Sequence, residues 1–168
     1  MRGTISPADW LLFEIKDVLC GVNVSQIFEI KKVNLSALKK IDSVICPYIF
    51  AGPDCFPIAC LDPVPLFYSG EVTKFDLQAT YDVIVLKEQA FLAFLVSKII
   101  DVASFRFDEL KPLPEIIRKV RFRESIVGIG YYQDTLFYVF DMGAAKQLLN
   151  PLEDKSVRDI LEAAYASA

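Results

Sequence analysis

The sequence predicts a mainly β protein made of two related barrel-like halves, with short helices and an amphipathic helix at the C-terminus. Three observations predict it. The stretch Val24-Ser25-Gln26-Ile27-Phe28-Glu29-Ile30 returns as Val96-Ser97-Lys98-Ile99-Ile100-Asp101-Val102, with three of seven positions identical. Repetition of this kind marks one structural unit used twice. The apolar residues gather in runs of strand length, rich in β-branched and aromatic side chains and bounded by turn formers. Gly21 interrupts one such run, and a glycine inside a strand marks the bulge or sharp bend that a small barrel needs to close.

Taken in order, Trp10–Lys16 and Val18–Val24 read as strands of a hairpin that turns at Lys16-Asp17. Ser25–Ile30 then changes period: Ile27 with Ile30 suits a helical turn, and Ser25 can cap it. Lys31–Lys40 fits strand or helix. Cys55–Asp62 is a strand, and Pro57, which lacks a donor, places it at an edge or a bulge. After a polar linker, Tyr81–Lys87, Phe91–Val96 and Ala103–Phe107 read as strands. Pro112 and Pro114 introduce a short helix over Glu115–Val120. Ser125–Tyr132 and Leu136–Asp141 are the last two strands, joined at Gln133-Asp134-Thr135. In the tail, Val157, Ile160, Leu161, Ala164 and Tyr165 form one apolar stripe behind Ser156 and Asp159, a capping-box variant. The helix spans 154–168.

The repeat extends beyond its core. Phe13-Glu14-Ile15-Lys16 stands before the first copy as Ile84-Val85-Leu86-Lys87 stands before the second. Cys60-Leu61-Asp62 matches Val139-Phe140-Asp141 near the end of each half. The halves fall at about residues 10–70 and 80–149.

Composition removes several classes of function. At 168 residues and 54% hydrophobic, the chain supports a substantial core without metal or disulfide. A net charge of -4 argues against general affinity for nucleic acid or anionic membrane. The longest apolar run, Ala90–Val96, is seven residues, where a membrane span needs about 20. No secretory signal is visible, and a cytoplasmic location is expected. The chain has no histidine, which removes Ser-His-Asp and Cys-His catalysis and every histidine-bearing metal site. Cys20, Cys46, Cys55 and Cys60 form no C-x-x-C pair and read as small apolar fillers.

No candidate chemistry survives comparison with simpler readings. Arg118, Lys119, Arg121 and Arg123 read as a solvated basic face on an acidic protein. Gly128-x-Gly130 opens no helix that would hold a phosphate. Asp62 and Asp141, each ending a strand, read as turn residues used twice. No nucleophile stands beside a base. The sequence therefore predicts no catalytic residues, no cofactor and no metal, and it points to protein surfaces as the working part.

Several motifs resemble the CheW-like domain. They are Leu12-Phe13-Glu14-Ile15, Cys20-Gly21-Val22-Asn23-Val24, Ile27-Phe28-Glu29-Ile30, Phe56-Pro57-Ile58-Ala59-Cys60-Leu61-Asp62 and Leu95–Val102. Leu110-Lys111-Pro112-Leu113-Pro114, Ile126–Gly130 and Leu136–Met142 continue the series in the same order, over about residues 10–149. The resemblance implies two SH3-like five-stranded β-barrel subdomains side by side. It implies a non-enzymatic adaptor linking chemoreceptors to a CheA-type histidine kinase, with the kinase regulatory domain and the chemoreceptor cytoplasmic tip as partners. Glu29 is then the partner-facing position, with Ile27 and Phe28 around it; the simpler reading of Glu29 is a local ion pair. The family's Asn-Leu-Arg-Gly motif is absent: Phe50 stands for its Asn and Gly52 for its Arg, whose donor fork glycine cannot replace. Ser97 stands where the family carries Asp. Two alternatives remain: a scaffold of the same fold in another signalling complex, and a small-ligand-binding barrel, which an apolar pocket between the halves would favour, whereas a flat apolar patch with a polar rim would favour an adaptor.

Overall fold

The computed structural model describes residues 7–40, 48–51, 57–64, 74–87, 92–115 and 126–141. Twelve strands are described: β1 (Ala8–Ile15), β2 (Val18–Asn23), β3 (Ile27–Asn34), β4 (Lys39–Lys40), β5 (Tyr48–Ala51), β6 (Pro57–Leu61), β7 (Thr80–Leu86), β8 (Leu92–Val96), β9 (Lys98–Phe105), β10 (Lys111–Pro112), β11 (Ile126–Tyr132) and β12 (Thr135–Phe140). Single 3-10 turns at Val24–Gln26, Leu35–Ala37 and Phe107–Glu109 are the only named helical elements among the described residues. The expected C-terminal helix and Gly52 lie outside those residues, as does the helix expected over Glu115–Val120 beyond its first residue.

The strands form two six-stranded sheets. Sheet A runs β10-β11-β12-β2-β1-β9, and sheet B runs β3-β7-β8-β6-β5-β4. The repeat is visible in this order. Each sheet carries one hairpin (β1-β2 or β7-β8) beside one four-strand set (β9 to β12 or β3 to β6). In each, the hairpin's second strand runs parallel to the last strand of the set, β2 with β12 and β8 with β6.

The sheets therefore do not divide the chain at residues 70–80. The two repeats exchange their first hairpins, so β1-β2 completes the sheet begun by the second repeat and β7-β8 completes the sheet begun by the first. The expected five-stranded barrels are sheets of six because the two-residue edge strands β4 and β10 count as strands of their own. The recurrent stretch is where the exchange happens. Val24–Gln26 carries the chain from β2 in sheet A to β3 in sheet B, and Ser97 carries it from β8 in sheet B to β9 in sheet A.

Pairing registers also correct the hairpin alignment. Leu11 faces Val22 as Ile84 faces Phe94, and Phe140 lies beside Val22 as Leu61 lies beside Phe94. Leu11, not Phe13, is thus the counterpart of Ile84. The match of Cys60-Leu61-Asp62 to Val139-Phe140-Asp141 agrees with the register.

Each sheet must curl. β9 and β10 are opposite edges of sheet A, yet the single turn Phe107–Glu109 joins them. A flat six-stranded sheet would hold its edges roughly 24 Å apart at ~4.8 Å per strand spacing. One 3-10 turn, rising about 2 Å per residue, does not reach that far. The same argument holds for β3 and β4 across Leu35–Ala37. Asn34 caps this turn by accepting from Ser36 N at 3.0 Å, as Asn23 caps the crossover turn by accepting from Ser25 N at 2.9 Å. Ser25 is thus not the cap, and the expected helical turn ends by Gln26. Ile27 onward is strand, because Val33 and three half-buried partners alternate with exposed residues at period two.

Three apolar clusters hold the fold. One lies inside sheet A (Trp10, Leu12, Phe137, Val139) and one inside sheet B (Leu35, Tyr48, Ile58, Val83, Leu95 and neighbours). The largest lies between the sheets, where Leu11, Phe13, Ile15 and Phe140 meet Leu61, Ile84, Phe94 and Val96. Residues of β1 and β7 alternate between these clusters, so both faces of these strands are buried and their sequences read as near-continuous apolar runs.

Gly21 has a different role from the expected bend. β1 and β2 pair without interruption through Leu12 and Gly21. A Cβ on Gly21 would lie 3.0 Å from the Phe137 ring, and one on Gly130 would lie 2.5 Å from Phe137 Cζ and 2.8 Å from Leu110 Cδ2. The two glycines form the walls of a slot for a fully buried ring. Gly130→Ala is therefore expected to destabilise the protein by about 1–3 kcal/mol through overpacking, measured by urea unfolding.

Candidate docking edge on the third strand

β3 is the outer strand of sheet B, paired to β7 on one side. Among the described residues no strand pairs with its other side, and a strand so placed presents backbone donors and acceptors that a second polypeptide can use. Its side chains alternate. Ile27, Glu29, Lys31 and Val33 are half-buried, while Phe28, Ile30, Lys32 and Asn34 are exposed. Phe28 is 58% exposed and Ile30 43% exposed, and residues two apart on a strand share a face.

The register breaks at this point. Ile27 faces Leu86 and Glu29 faces the adjacent Val85, which leaves Phe28 as the extra, bulged residue. A bulge disrupts the ladder locally and re-aims a side chain. The second repeat has the same bulge: Ile99 faces Phe13 and Asp101 faces Leu12, leaving Ile100 extra. The two copies then diverge. Ile100 is half-buried and packs on the sheet A interior cluster, whereas Phe28 stands in solvent. On β9 only Val102 is a large exposed apolar residue.

The acids differ in their partners, Asp101 being exposed and Glu29 half-buried. Asp101 Oδ2 accepts from Tyr132 Oη at 2.5 Å, and its Oδ1 accepts from Val102 N at 2.8 Å. The Tyr132 hydrogen bond, with the backbone one beside it, holds the Asp101 carboxyl below its usual range. Glu29 has Lys31 Nζ 3.3 Å from its Oε1. That oxygen is buried, and the ammonium does not lie in hydrogen-bonding geometry to it. An ion pair this exposed is worth at most about 1 kcal/mol. Glu29 thus has a local partner without being consumed by it. Further along, Lys32 Nζ lies 3.3 Å from Asp82 Oδ1, and Asp82 Oδ2 accepts from Ile99 N at 3.3 Å, tying β7 of sheet B to β9 of sheet A.

Of the sequence-selected positions, Ile27, Phe28 and Glu29 are therefore consecutive on one sheet edge, with Ile27 turned toward the shared core and Phe28 turned out. Gly52 lies outside the described residues. Ile30 was not selected. Its alternation with Phe28 was the available signal, hidden by reading the stretch as a helical turn. Ser97 is structural: its Oγ accepts from Lys16 N at 2.9 Å, and its N–H donates to Glu14 O at 2.9 Å, fastening the second crossover to the β1-β2 turn. Asp62 is a turn residue, buried and accepting from Val64 N at 3.0 Å. Cys20 and Cys60 are buried, and burial pushes the Cys20 thiol up. Among the described residues no group of three acids and cysteines is placed to hold a metal, and no helix is long and apolar enough to cross a membrane.

No protein-family model matches the sequence, and no curated protein matches it either. Among solved structures, the scaffolding protein TtCheW from Thermoanaerobacter tengcongensis is similar, with a TM-score of 0.66 at 14% identity over 84% of this chain and 89% of that one. The protein has a CheW-like fold.

Proposed function

We propose that the protein is a non-enzymatic, cytoplasmic adaptor that docks a protein partner along the β3 edge. The observation that carries this reading is the asymmetry between the two repeats. The bulged apolar residue is half-buried on β9, as Ile100, but exposed on β3, as Phe28, with the exposed Ile30 on the same face. β9 is likewise an outer strand, but its bulged residue packs inward, so β3 is the edge that offers an exposed apolar pair to a partner. Lysines on an edge strand deter unwanted pairing, which fits Lys31 and Lys32 as selectors at an edge that accepts a chosen partner.

The partner class follows from the fold likeness to a scaffolding protein. In this reading the partners are a CheA-type histidine kinase regulatory domain and a chemoreceptor cytoplasmic tip. Gly52, standing where the resembling family has Arg, favours a second reading in which the same edge serves a different signalling complex. Size-exclusion chromatography of the purified protein with kinase regulatory domains and receptor fragments from its own organism separates the two. Co-elution at tens of micromolar is the expected result; no complex with any of them rejects the chemotaxis reading and leaves the second.

A further inference from the structure

The charges on β3 let the strand complement itself in one register. Its residues run Ile27-Phe28-Glu29-Ile30-Lys31-Lys32-Val33-Asn34. Two copies of an edge strand can pair antiparallel about a two-fold axis normal to the sheet, which then continues into a second molecule. Residues facing each other across such an axis lie on the same side of the joined sheet. The axis therefore falls on a residue, which meets its own copy, and not between two residues.

The position of the axis decides the charges. An axis on Glu29 sets two carboxylates together, and an axis on Lys31 or Lys32 sets two ammonium groups together. Like charges directly opposite each other are destabilising. An axis on Ile30 sets Glu29 against Lys31 of the second copy and Lys31 against Glu29 of that copy. Ile30 is the sole axis residue that places Glu29 opposite a lysine of β3. Glu29, Ile30 and Lys31 all follow the bulge, in the uninterrupted part of the ladder to β7.

Other groups fit the same register. Glu29 already has Lys31 of its own chain 3.3 Å away, so acid and base alternate around the axis, each carboxylate between two ammonium groups. On the other face Ile30 meets its copy, with Phe28 of the opposite chain as a diagonal neighbour. The exposed Phe28 and Ile30 of both chains thus join in one apolar strip. Lys32, whose side chain is 77% exposed, lies opposite Phe28 of the second copy, where its stem covers the ring edge and its ammonium meets the ring face. β9 carries no such pattern: its single acid, Asp101, is engaged by Tyr132.

We propose that β3 pairs with β3 of a second copy of this chain, antiparallel about Ile30, in a reversible dimer. The inference rests on the reading of β3 as an open docking edge and gives that edge a resting occupant. The dimer covers the surface an adaptor partner needs, so partner and second copy compete. One strand against one strand is a small contact, of the weak and transient class.

Sedimentation velocity of the full chain from about 1 µM to 1 mM, the range in which such contacts form, reads the association. A reversible monomer–dimer equilibrium is the expected result. Glu29→Lys and Lys31→Glu each turn both cross-axis attractions into repulsions, and each is expected to weaken the dimer at least about tenfold. Mixed in equal amounts, the two variants regain both attractions and are expected to form a heterodimer about as tight as the wild-type dimer. Circular dichroism verifies that each is folded, and recovery in the mixture is an effect that a misfolded variant does not produce. A wild-type chain that stays monomeric overturns the proposal, as does a dimer indifferent to both variants, or a mixture that stays apart. The adaptor reading is scored separately. A monomeric chain whose β3 amides are still protected by a kinase regulatory domain or receptor fragment overturns the dimer and leaves the docking edge. A dimer that obeys these charge rules and binds no adaptor partner supports the proposal and rejects the adaptor reading.

Discussion

Phe94→Ala is expected to lower stability by about 3–5 kcal/mol, the cost of deleting a buried ring and leaving its cavity, and to weaken both sheets together. Phe94 belongs to β8 of sheet B and is 1% exposed. Its ring meets Phe140 of sheet A edge-on at 5.9 Å, and Phe140 meets Phe13 at 6.2 Å. These three rings join the sheets at the centre of the largest core cluster. The hairpin exchange makes the coupling stronger, because neither sheet has all its strands without the other repeat. Trp10 lies in the interior cluster of sheet A and reports on that side alone. Its fluorescence midpoint in urea should shift with the far-ultraviolet signal, in one transition. A Trp10 transition that stays in place while the rest of the signal moves would mean that the sheets unfold separately.

The second large effect is expected at the β3 edge. Replacing Phe28 and Ile30 together by aspartate puts two charges where a partner would bury two apolar side chains. Loss of a partner-bound hot spot costs at least ~2 kcal/mol, about 30-fold in affinity. Because both residues are exposed in the free protein, each replacement should alter stability by no more than about 0.5 kcal/mol. Binding measured by calorimetry against the kinase regulatory domain or receptor fragment, beside a thermal melt, separates the two quantities. The matching change on the other repeat, Val102→Asp, should leave binding unaltered. Glu29→Lys should weaken binding by a smaller factor; unchanged binding would confine Glu29 to its pair with Lys31.

The duplication was legible because the crossover stretch keeps its pattern in both copies. Val24 to Ile30 must leave one sheet and enter the other, as must Val96 to Val102, and few side-chain sets satisfy a turn, a bulge and a half-buried edge strand at once. The exchange of hairpins was not legible. A sequence repeat shows that two units are alike, and it carries no information about which unit's hairpin completes which sheet. The misaligned hairpin has a local cause: β1 and β2 join through Lys16 and Asp17, with Lys16 at φ 54°, while the connection from β7 to β8 is longer, so counting back from the repeat goes out of register. The edge strand was missed because Ile27 and Ile30 also fit a helical spacing. The half-exposed alternation that decides the matter depends on β7 lying on one side and no described strand pairing on the other.

The central claim is that β3, and not its duplicate β9, is the working edge. Amide hydrogen exchange with and without the bound partner tests it most directly. The account predicts that amides of residues 28–32 slow by at least about tenfold on binding, as expected when free edge donors enter a ladder or a dry interface, while those of residues 98–105 keep their rates. Protection on β9 with none on β3, or binding without protection on either edge, would contradict it.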